Sequence, residues 1–272
     1  MYISMRVPVF HNHGCACSLS VNNHMTAAID FYNANKNIIS KLPGLPDNIN
    51  TDFELANWLL NQSNFGWLEL DIKFDLSSWK TEAELSRSCL VPHRESSSSG
   101  WNSACIHGID IKSTGAWTNY GFTNEDDVPY KWTGLSEITP SIKEFWKQFP
   151  YDQYRRIRFM ELEPNGYINP HSDAPGKLPG EENFDALKFG VPVNIAINHP
   201  EDCHMTLEGY GEIPFKDGKA FIINIRNYHS VINFSSTPRM HLIAHGKLDK
   251  KLDSFVELVA RSYRKQYERD RV

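Results

Sequence analysis

A histidine and an aspartate two residues apart, followed by a distant histidine, form a pattern that can bind a metal ion. His171 and Asp173 lie in the segment NPHSDAPG, and His229 follows the apolar run 220–225. Side chains at positions i and i+2 of an extended segment point to the same face, so His171 and Asp173 can converge on one ion. Two histidines and one carboxylate form the facial triad typical of non-haem Fe(II) sites, which leaves coordination positions for a bidentate 2-oxo acid and for O₂.

Arg239 is the next residue with a chemical role in this pattern, ten positions after His229. An arginine fork binds a carboxylate through two parallel hydrogen bonds. If the strand that begins near Arg239 lies beside the strand that leads to His229, the guanidinium reaches the same cavity. We therefore predict that Arg239 binds the distal carboxylate of 2-oxoglutarate, and we take His241, on the same face, as a further pocket residue.

Each of these residues also has an ordinary structural role. A His-x-Asp pair can lie in a turn in which Asp173 binds its own backbone. His229 can be a satisfied polar residue at a strand end, and Arg239 can be a surface cation. The order of the residues, their spacing and their strand context together favour the metal site, because a short motif alone arises often by chance.

A second group of metal-binding residue types lies near the amino terminus. His11, His13, Cys15 and Cys17 form the pattern H-x-H-x-C-x-C, and alternation could place all four on one face for zinc. Structural zinc sites more often have two-residue gaps between ligands, and Gly14 indicates a turn. We therefore interpret this group as structural or incidental.

The elements that must position the triad are short strands in the second half of the chain. Turn signals at Asn165-Gly166, Gly209 with Gly211, Asp217-Gly218 and Pro238 separate them, which is typical of an antiparallel sandwich or barrel. The predicted strands are 154–162, 191–198, 203–207, 220–225 and 240–245. The predicted helices are 26–35, 51–61, 141–148 and 254–267. Capping boxes are predicted at Thr51 with Glu54 and at Ser254 with Glu257. The expected fold is mainly β with flanking helices.

Composition limits the classes of function and location. The 272 residues carry a formal net charge of −5, which gives no electrostatic support for binding nucleic acid or an anionic membrane. We find no secretory signal and no apolar run long enough to span a membrane. Five cysteines are too few for a disulfide framework, so a cytoplasmic location is the expectation.

Aromatic residues are concentrated before the strand-rich half. Trp101, Trp117, Tyr120, Tyr130 and Trp132 are expected mainly in the core, because large aromatic rings dominate protein interiors. The alternative is that some of them line the substrate pocket. Among these residues we select Trp101 and Trp132 as the candidates for contact with the substrate.

The region from about 155 to 245 resembles the aspartyl/asparaginyl β-hydroxylase family and its free-proline hydroxylase relatives. The resemblance is carried by RIRFMELEPNGYINPHSD and by GEIPFKDGKAFIINIRNYHSVINFSSTPRMHLIAH, with a weaker similarity in GWNSACIHG and YKWTGLSEITP. These stretches are similar to the family pattern of an Arg-x-Arg strand, a turn, a Pro-His metal ligand, a distal histidine followed by Asn-x-Ser, and a trailing arginine.

The resemblance implies a double-stranded β-helix (a jelly roll of the cupin type) and the use of Fe(II), 2-oxoglutarate and O₂. Carried over residue by residue, it implies that His171 and His229 bind iron and that Arg239 binds the cosubstrate. The animal enzymes that modify proteins have glycine where Asp173 stands, so Asp173 favours the branch that acts on small molecules. Family members carry an Arg-x-His pair on the strand after the first histidine, and Asn194 stands in the equivalent stretch here as the expected substitute donor.

We therefore predict a single oxygenase domain over residues 1–272. It comprises a mixed amino-terminal part (1–150), a β-helix core with the metal site (151–248) and a carboxy-terminal helix (249–272). The expected activity is hydroxylation of an amino acid, free or within a peptide. The alternatives are another 2-oxoglutarate-dependent oxidation, such as desaturation or halogenation, and a non-enzymatic cupin-like binding protein. Retention of Asp173 argues against halogenation, and retention of the triad and Arg239 argues against a binding protein.

Overall fold

The structure is a computed structural model that describes the backbone of residues 16–173 and 185–271 and the side chains of residues 25–173 and 185–271. In these ranges, eleven strands form one hydrogen-bonded sheet. They are β1 (Trp67–Glu69), β2 (Val91–Pro92), β3 (Ser98–Gly108), β4 (Lys131–Trp132), β5 (Gln153–His171), β6 (Val193–Asn198), β7 (Cys203–Leu207), β8 (Gly211–Glu212), β9 (Ala220–Ile223), β10 (His229–Asn233) and β11 (Arg239–Lys247). The α-helices are α1 (Ala16–Asn35), α2 (Asp52–Asn57), α3 (Leu76–Ser86), α4 (Pro140–Gln148), α5 (Ala186–Phe189) and α6 (Leu252–Arg269).

The sheet is curled because the long strand β5 belongs to both of its halves. The strand order is β1-β9-β6-β11-β5-β10-β7-β8, and β3 also pairs with β5. The first part of β5 pairs with β11 and its last part pairs with β10, in both cases antiparallel. The two halves that share β5, which are β1-β9-β6-β11-β5 and β5-β10-β7-β8, face each other across an apolar interior. This arrangement is a double-stranded β-helix, as predicted.

The segment Pro164-Asn165-Gly166 does not end the strand, and the prediction of a turn there was wrong. Strand β5 continues to His171, with Asn165 in the left-handed region at a φ of 61°. A Cβ atom on Gly166 would lie 2.8 Å from the carbonyl oxygen of Glu163 and 3.0 Å from that of Ser99, so only glycine fits between β5 and β3. These residues bend β5 from one sheet into the other.

Two apolar layers hold the sheets together. The interior between the sheets contains residues such as Leu162, Met205 and Phe221. The larger layer lies on the outer face of the β9-β6-β11-β5 sheet, where Phe159 and Leu242 pack with side chains of α2, α3, α4 and α6. Because odd and even positions of each strand face opposite layers, the interior face remains available for functional side chains.

The predicted helices are present with shifted boundaries. The capping box at Thr51 and Glu54 is confirmed, since the Glu54 backbone N–H donates to Thr51 Oγ1 at 3.1 Å and the Thr51 N–H donates to Glu54 Oε2 at 3.0 Å. After α2 the chain continues as a π-helical turn over Trp58–Gln62. The capping box predicted at Ser254 was wrong, because α6 already begins at Leu252.

The amino-terminal metal-type pattern lies outside the described residues: His11, His13 and Cys15 precede them, and the side chain of Cys17 is not described. The division of the chain at residues 150 and 248 stays a prediction. Among the described residues, no helix combines the length and the apolar character that crossing a membrane requires.

Candidate metal centre

The two histidines of the predicted triad face each other across neighbouring strands. His171 is the last residue of β5, His229 is the first residue of β10, and the two are directly paired in the antiparallel register. Between this pair and the next, Val231 with Ile168, β5 has one residue more than β10, which is a β-bulge. The bulge allows both Ile168 and His171 to face the cavity, although they are three positions apart.

The triad side chains lie close enough to share one ion. One ligand atom from each of His171, Asp173 and His229 can be chosen so that all three lie within 4.8 Å of one another. The two imidazole centroids are 4.3 Å apart, and His171 Nε2 lies 4.0 Å from Asp173 Oδ2. Asp173 is held in place after the strand end because its backbone N–H donates to the carbonyl oxygen of Ile225 at 3.0 Å.

Backbone carbonyls orient both imidazole rings. His171 Nδ1 lies 2.7 Å from the carbonyl oxygen of Asn169, and His229 Nδ1 lies 3.1 Å from that of Asn227. A carbonyl oxygen only accepts hydrogen bonds, so Nδ1 carries the proton in each ring. In the neutral ring Nε2 then keeps its lone pair, and this is the arrangement by which a second hydrogen bond orients a metal-binding histidine.

The electrostatic surroundings favour the metal-binding protonation states of His229 and Asp173. Burial and the neighbouring His171 lower the pKa of His229 to about 4, so its ring is neutral near pH 7. Burial raises the pKa of Asp173, but Arg94, together with the two triad histidines, outweighs this and the net shift is downward. Arg94 Nη1 lies 3.2 Å from Asp173 Oδ1, which explains the size of its effect.

The triad lies in the wall of a cavity of about 760 Å³ between the two sheets. This volume is in the range of small-molecule binding sites. Apolar side chains of the lining include Trp101, Met160, Ile168, Met205, Ile223, Ile225, Val231 and Ile243. Its charged and polar lining includes Arg94, Glu125, Asp126, Arg155, Arg156, Arg158, Asn194, Arg239, His245 and Lys247.

Arg239 is a buried cation at this cavity, only 2% exposed. Its Nη2 lies 2.7 Å from His241 Nδ1, an atom that also lies 2.8 Å from Asn194 Oδ1. His241 Nε2 lies 2.8 Å from His199 Nδ1, within hydrogen-bond distance. Arg239 makes no ion pair within residues 25–173 and 185–271, and its buried Nε has no hydrogen-bond partner there. The guanidinium is therefore positioned by neutral groups and keeps N–H donors for the carboxylate of a ligand.

The other predicted site residues fall into two groups. Trp101, Asn194 and Arg239 line the cavity. His241 is fully buried behind Arg239, where Asn194 Oδ1 lies 2.8 Å from its Nδ1, so it contacts the proposed cosubstrate residue rather than the cavity. Trp132 is not among the described lining residues; it packs edge-on against His107 and beside Tyr154, a position that gives no support for contact with a substrate.

The structure also adds lining residues that sequence reasoning did not select. His245 was interpreted as structural but lines the cavity, because Ile243 and His245 follow Arg239 on the same face of β11. Arg94 comes from a turn 79 residues before Asp173 and has an unusual φ of 51°. Arg156 and Arg158 form the Arg-x-Arg pattern of the sequence, and their alternation on β5 was the one signal that they share a face.

Buried neutral histidines make the metal-free protein sensitive to acid. Burial, followed by nearby arginines, lowers the pKa of His93 to about 3, and burial with Arg239 and His199 holds that of His241 well below its usual range. A histidine in the unfolded chain has a pKa of about 6.5, so below that pH the unfolded chain binds more protons than the folded chain. The contribution of these histidines to stability is therefore fully present above pH 6.5 and is lost as the pH falls towards 3.

We expect the unfolding midpoint of the metal-free protein to fall steeply between pH 6.5 and 4.5. Each such histidine contributes about 1.4 kcal/mol per pH unit in this window. In His93→Gln the decline should be shallower by about that amount, whatever the absolute stability of the variant. Chemical denaturation at several pH values measures this slope, and an unchanged slope would contradict the assignment of His93 as buried and neutral.

A double-stranded β-helix with two histidines and a carboxylate converging at its cavity defines the class of non-haem metal proteins with a facial triad. Residues 83–247 match the family model described as aspartyl/asparaginyl beta-hydroxylase, so the chain belongs to that family. This confirms the resemblance seen in the sequence and extends it upstream to residue 83.

An individual enzyme is also similar to this chain in sequence. L-proline cis-4-hydroxylase of Rhizobium meliloti (strain 1021) is 30% identical over 145 residues, which are 51% of this chain and 48% of that enzyme. The chain therefore spans about half the length of this curated relative.

Among solved structures, a Pseudomonas putida prolyl-4-hydroxylase matches 73% of this chain and 100% of that chain, with a TM-score of 0.39 and 13% identity. A viral collagen prolyl hydroxylase from Paramecium Bursaria Chlorella virus-1 matches 68% of this chain and 97% of that chain, with a TM-score of 0.40 and 10% identity. Likeness at this level says nothing about function.

Proposed function

We propose that this protein is an Fe(II)- and 2-oxoglutarate-dependent dioxygenase that hydroxylates an amino acid. The observation that carries the proposal is the convergence of His171, Asp173 and His229 within 4.8 Å, at the same cavity as the buried Arg239. Membership of the aspartyl/asparaginyl β-hydroxylase family agrees with this activity.

The donor set fits the metal and the cosubstrate. The two oriented imidazoles and one carboxylate would hold Fe(II), since each offers one ligand atom within 4.8 Å of the other two. When bound, iron with 2-oxoglutarate and O₂ supplies the oxidising power for insertion of oxygen into a C–H bond. Arg239 would hold the distal carboxylate of the cosubstrate, with Asn194 beside it as a polar lining residue.

The remaining cavity residues position the substrate and exclude water. Trp101, Met160 and Val231 supply an apolar wall near the triad. Such a wall strengthens every charge interaction inside the cavity, because it lowers the local dielectric. The relative from Rhizobium meliloti is named for hydroxylation of L-proline. We infer that the substrate of this chain is likewise a small molecule of the amino-acid class.

A reducing, cytoplasmic environment is part of this proposal. In its support, Cys89, Cys105 and Cys203 are free thiols within the described residues. Disulfide bonds are rare in reducing compartments, so these unpaired thiols agree with that environment.

The test is iron-dependent conversion of 2-oxoglutarate to succinate by the full chain. We expect Fe(II)-loaded protein to form succinate slowly alone and faster with its substrate among the twenty free L-amino acids, with a mass increase of one oxygen atom in the product. Protein loaded with Zn(II) in place of Fe(II) is the matched control and should form none. Absence of succinate under all these conditions would exclude the proposed activity.

A further inference from the structure

Most charged groups of the cavity are paired within the described residues, but three arginines, Arg156, Arg158 and Arg239, are not. Arg155 Nη2 lies 2.9 Å from Glu125 Oε2, Arg94 pairs with Asp173, and Lys247 pairs with Asp126. No carboxylate of the described residues forms an ion pair with Arg156 or Arg158. Since the proposed cosubstrate takes Arg239, the cavity has two cations that neither the described residues nor the cosubstrate neutralises.

Arg156 and Arg158 are held in fixed positions by neutral acceptors. Arg158 Nη1 donates to the carbonyl oxygen of Thr114 at 2.6 Å, and Arg156 Nη1 donates to that of Gly115 at 2.5 Å. The Nε atoms of both arginines are buried and have no hydrogen-bond partner in the part of the chain that the structure describes. Carbonyl oxygens fix the guanidinium groups without cancelling their charge, so both groups keep donors for a further acceptor.

The burial of Arg158 makes this unpaired charge costly. The residue is only 6% exposed. Burial, and then the charge of Arg156, lower the pKa of Arg158 to about 9, so it remains protonated near pH 7. A buried unpaired cation is unfavourable unless a counter-charge reaches it, and a bound anion is the natural source of one.

The position of Arg158 connects it to the chemistry at the triad. Arg156 and Arg158 alternate with core residues on β5 and line the same cavity as His171 and His229. Arg158 is paired in register with Ile243 of β11, the strand that also carries Arg239. Asp173 and Arg94 both influence the pKa of Arg158, so its guanidinium lies within electrostatic range of the metal-binding residues.

We propose that Arg158, assisted by Arg156, binds a free carboxylate of the substrate and thereby selects a small carboxylic acid. This inference rests on the proposed function, because it assigns Arg239 to the cosubstrate. A free amino acid offers an α-carboxylate that forms two hydrogen bonds with an arginine fork. A residue in the interior of a neutral peptide has no such group, so the site distinguishes a free amino acid from that kind of substrate.

The experiment measures binding to the full chain loaded with Mn(II) and N-oxalylglycine, which fill the metal and cosubstrate sites without turnover. The probes are the twenty free L-amino acids, their α-amides and inorganic phosphate. We expect at least one free acid to bind and its amide to bind about 30-fold more weakly or worse, as when one partner of a desolvated charge pair is removed. In Arg158→Gln the acid should bind as weakly as the amide, and the amide should be little affected.

Matched variants separate a lost carboxylate contact from a damaged fold. Arg155→Gln removes a cavity arginine that already has a protein partner, and it should keep the preference for acid over amide. Arg158→Lys keeps the positive charge but lacks the planar guanidinium that forms two parallel hydrogen bonds. Its affinity for the free acid should lie between those of Arg158→Gln and the wild type. Arg156→Gln should weaken binding of the free acid by a smaller factor than Arg158→Gln does. Each variant must retain Mn(II) and N-oxalylglycine affinity, which shows that the metal site is intact.

Several results would overturn the inference. They are equal binding of acid and amide, an unchanged acid preference in both Arg158→Gln and Arg158→Lys, or binding of phosphate or amides with no free acid bound. Absence of binding by every acid would overturn it as well. If wild-type protein still converts 2-oxoglutarate to succinate in these cases, only this inference fails. If wild-type protein forms no succinate and binds no N-oxalylglycine, the proposed function fails with it.

Discussion

His171→Ala and His229→Ala are each expected to lose iron binding and, with it, succinate formation. Each substitution removes one of the two imidazoles whose Nε2 atoms are oriented towards a common point by hydrogen bonds at Nδ1. A bound metal contributes several kcal/mol to such a reaction, so turnover should fall by about 1000-fold or more. Iron content after anaerobic loading and gel filtration is the first measurement, and the rate of succinate formation is the second.

His204→Ala is the control for these two variants. His204 lies on β7, next to β10, and its Nδ1 is 2.8 Å from Glu212 Oε1, so it is not part of the triad. The control should keep wild-type iron content. Full iron content in His171→Ala or His229→Ala would refute the assignment of that histidine as a ligand, even if activity were lost for another reason.

Arg239→Gln is expected to weaken 2-oxoglutarate binding by about 30-fold or more while iron binding remains. The size of the effect follows from burial, because loss of this cation leaves the distal carboxylate without a counter-charge in a site where the guanidinium is only 2% exposed. Titration of the Fe(II)-loaded protein with 2-oxoglutarate under anaerobic conditions gives the affinity directly. Arg226→Gln is a matched control, since Arg226 donates instead to Asn224 Oδ1 and to the carbonyl oxygen of Leu60.

A cosubstrate analogue that lacks the distal carboxylate makes the Arg239 test specific. 2-Oxopentanoate has the keto-acid end of 2-oxoglutarate but a methyl group in place of the distal carboxylate. Wild-type protein should prefer 2-oxoglutarate by a wide margin, and Arg239→Gln should lose most of that preference. If the variant still discriminates as strongly as wild type, another residue binds the distal carboxylate.

Much of the candidate site could be predicted from local sequence features. The separation of His171 and Asp173 by one residue is a local property of the chain; His171 ends β5, and Asp173 follows it two positions later. The capping box at Thr51 was predictable for the same reason, because all of its contacts lie within four residues. The family was recognisable because its motifs are short continuous segments that can be identified in the sequence alone.

The path of β5 could not be predicted in this way. Pro164-Asn165-Gly166 has the composition of a turn, and local preferences therefore indicate a strand end. In the folded chain, β3 pairs with β5 on both sides of this segment, with Trp101 opposite Leu162 and Ser98 opposite Ile168. Pairing along the whole length makes a bent, continuous strand more favourable than a turn.

The roles of individual pocket residues also depended on partners from distant parts of the chain. Alternation places Arg239, His241, Ile243 and His245 on one face of β11, but it does not say which of them reach the cavity. His241 is covered by His199 and Asn194, whereas His245 lines the cavity, as Arg156 does. Which neighbour covers a side chain depends on strand register, and a single bulge reverses the facing of all residues beyond it.

The sequence by itself determined the ligand types, their order and the family, because these are properties of residue identity and short spacing. Only the tertiary structure decided that β5 and β10 pair so that His171 faces His229, that Arg94 contacts Asp173, and that Arg156 and Arg158 remain without a described counter-charge. The physical reason is that each of these relations joins residues far apart along the chain. Their meeting depends on strand register, a bulge and burial, which arise only when the two sheets close around the cavity.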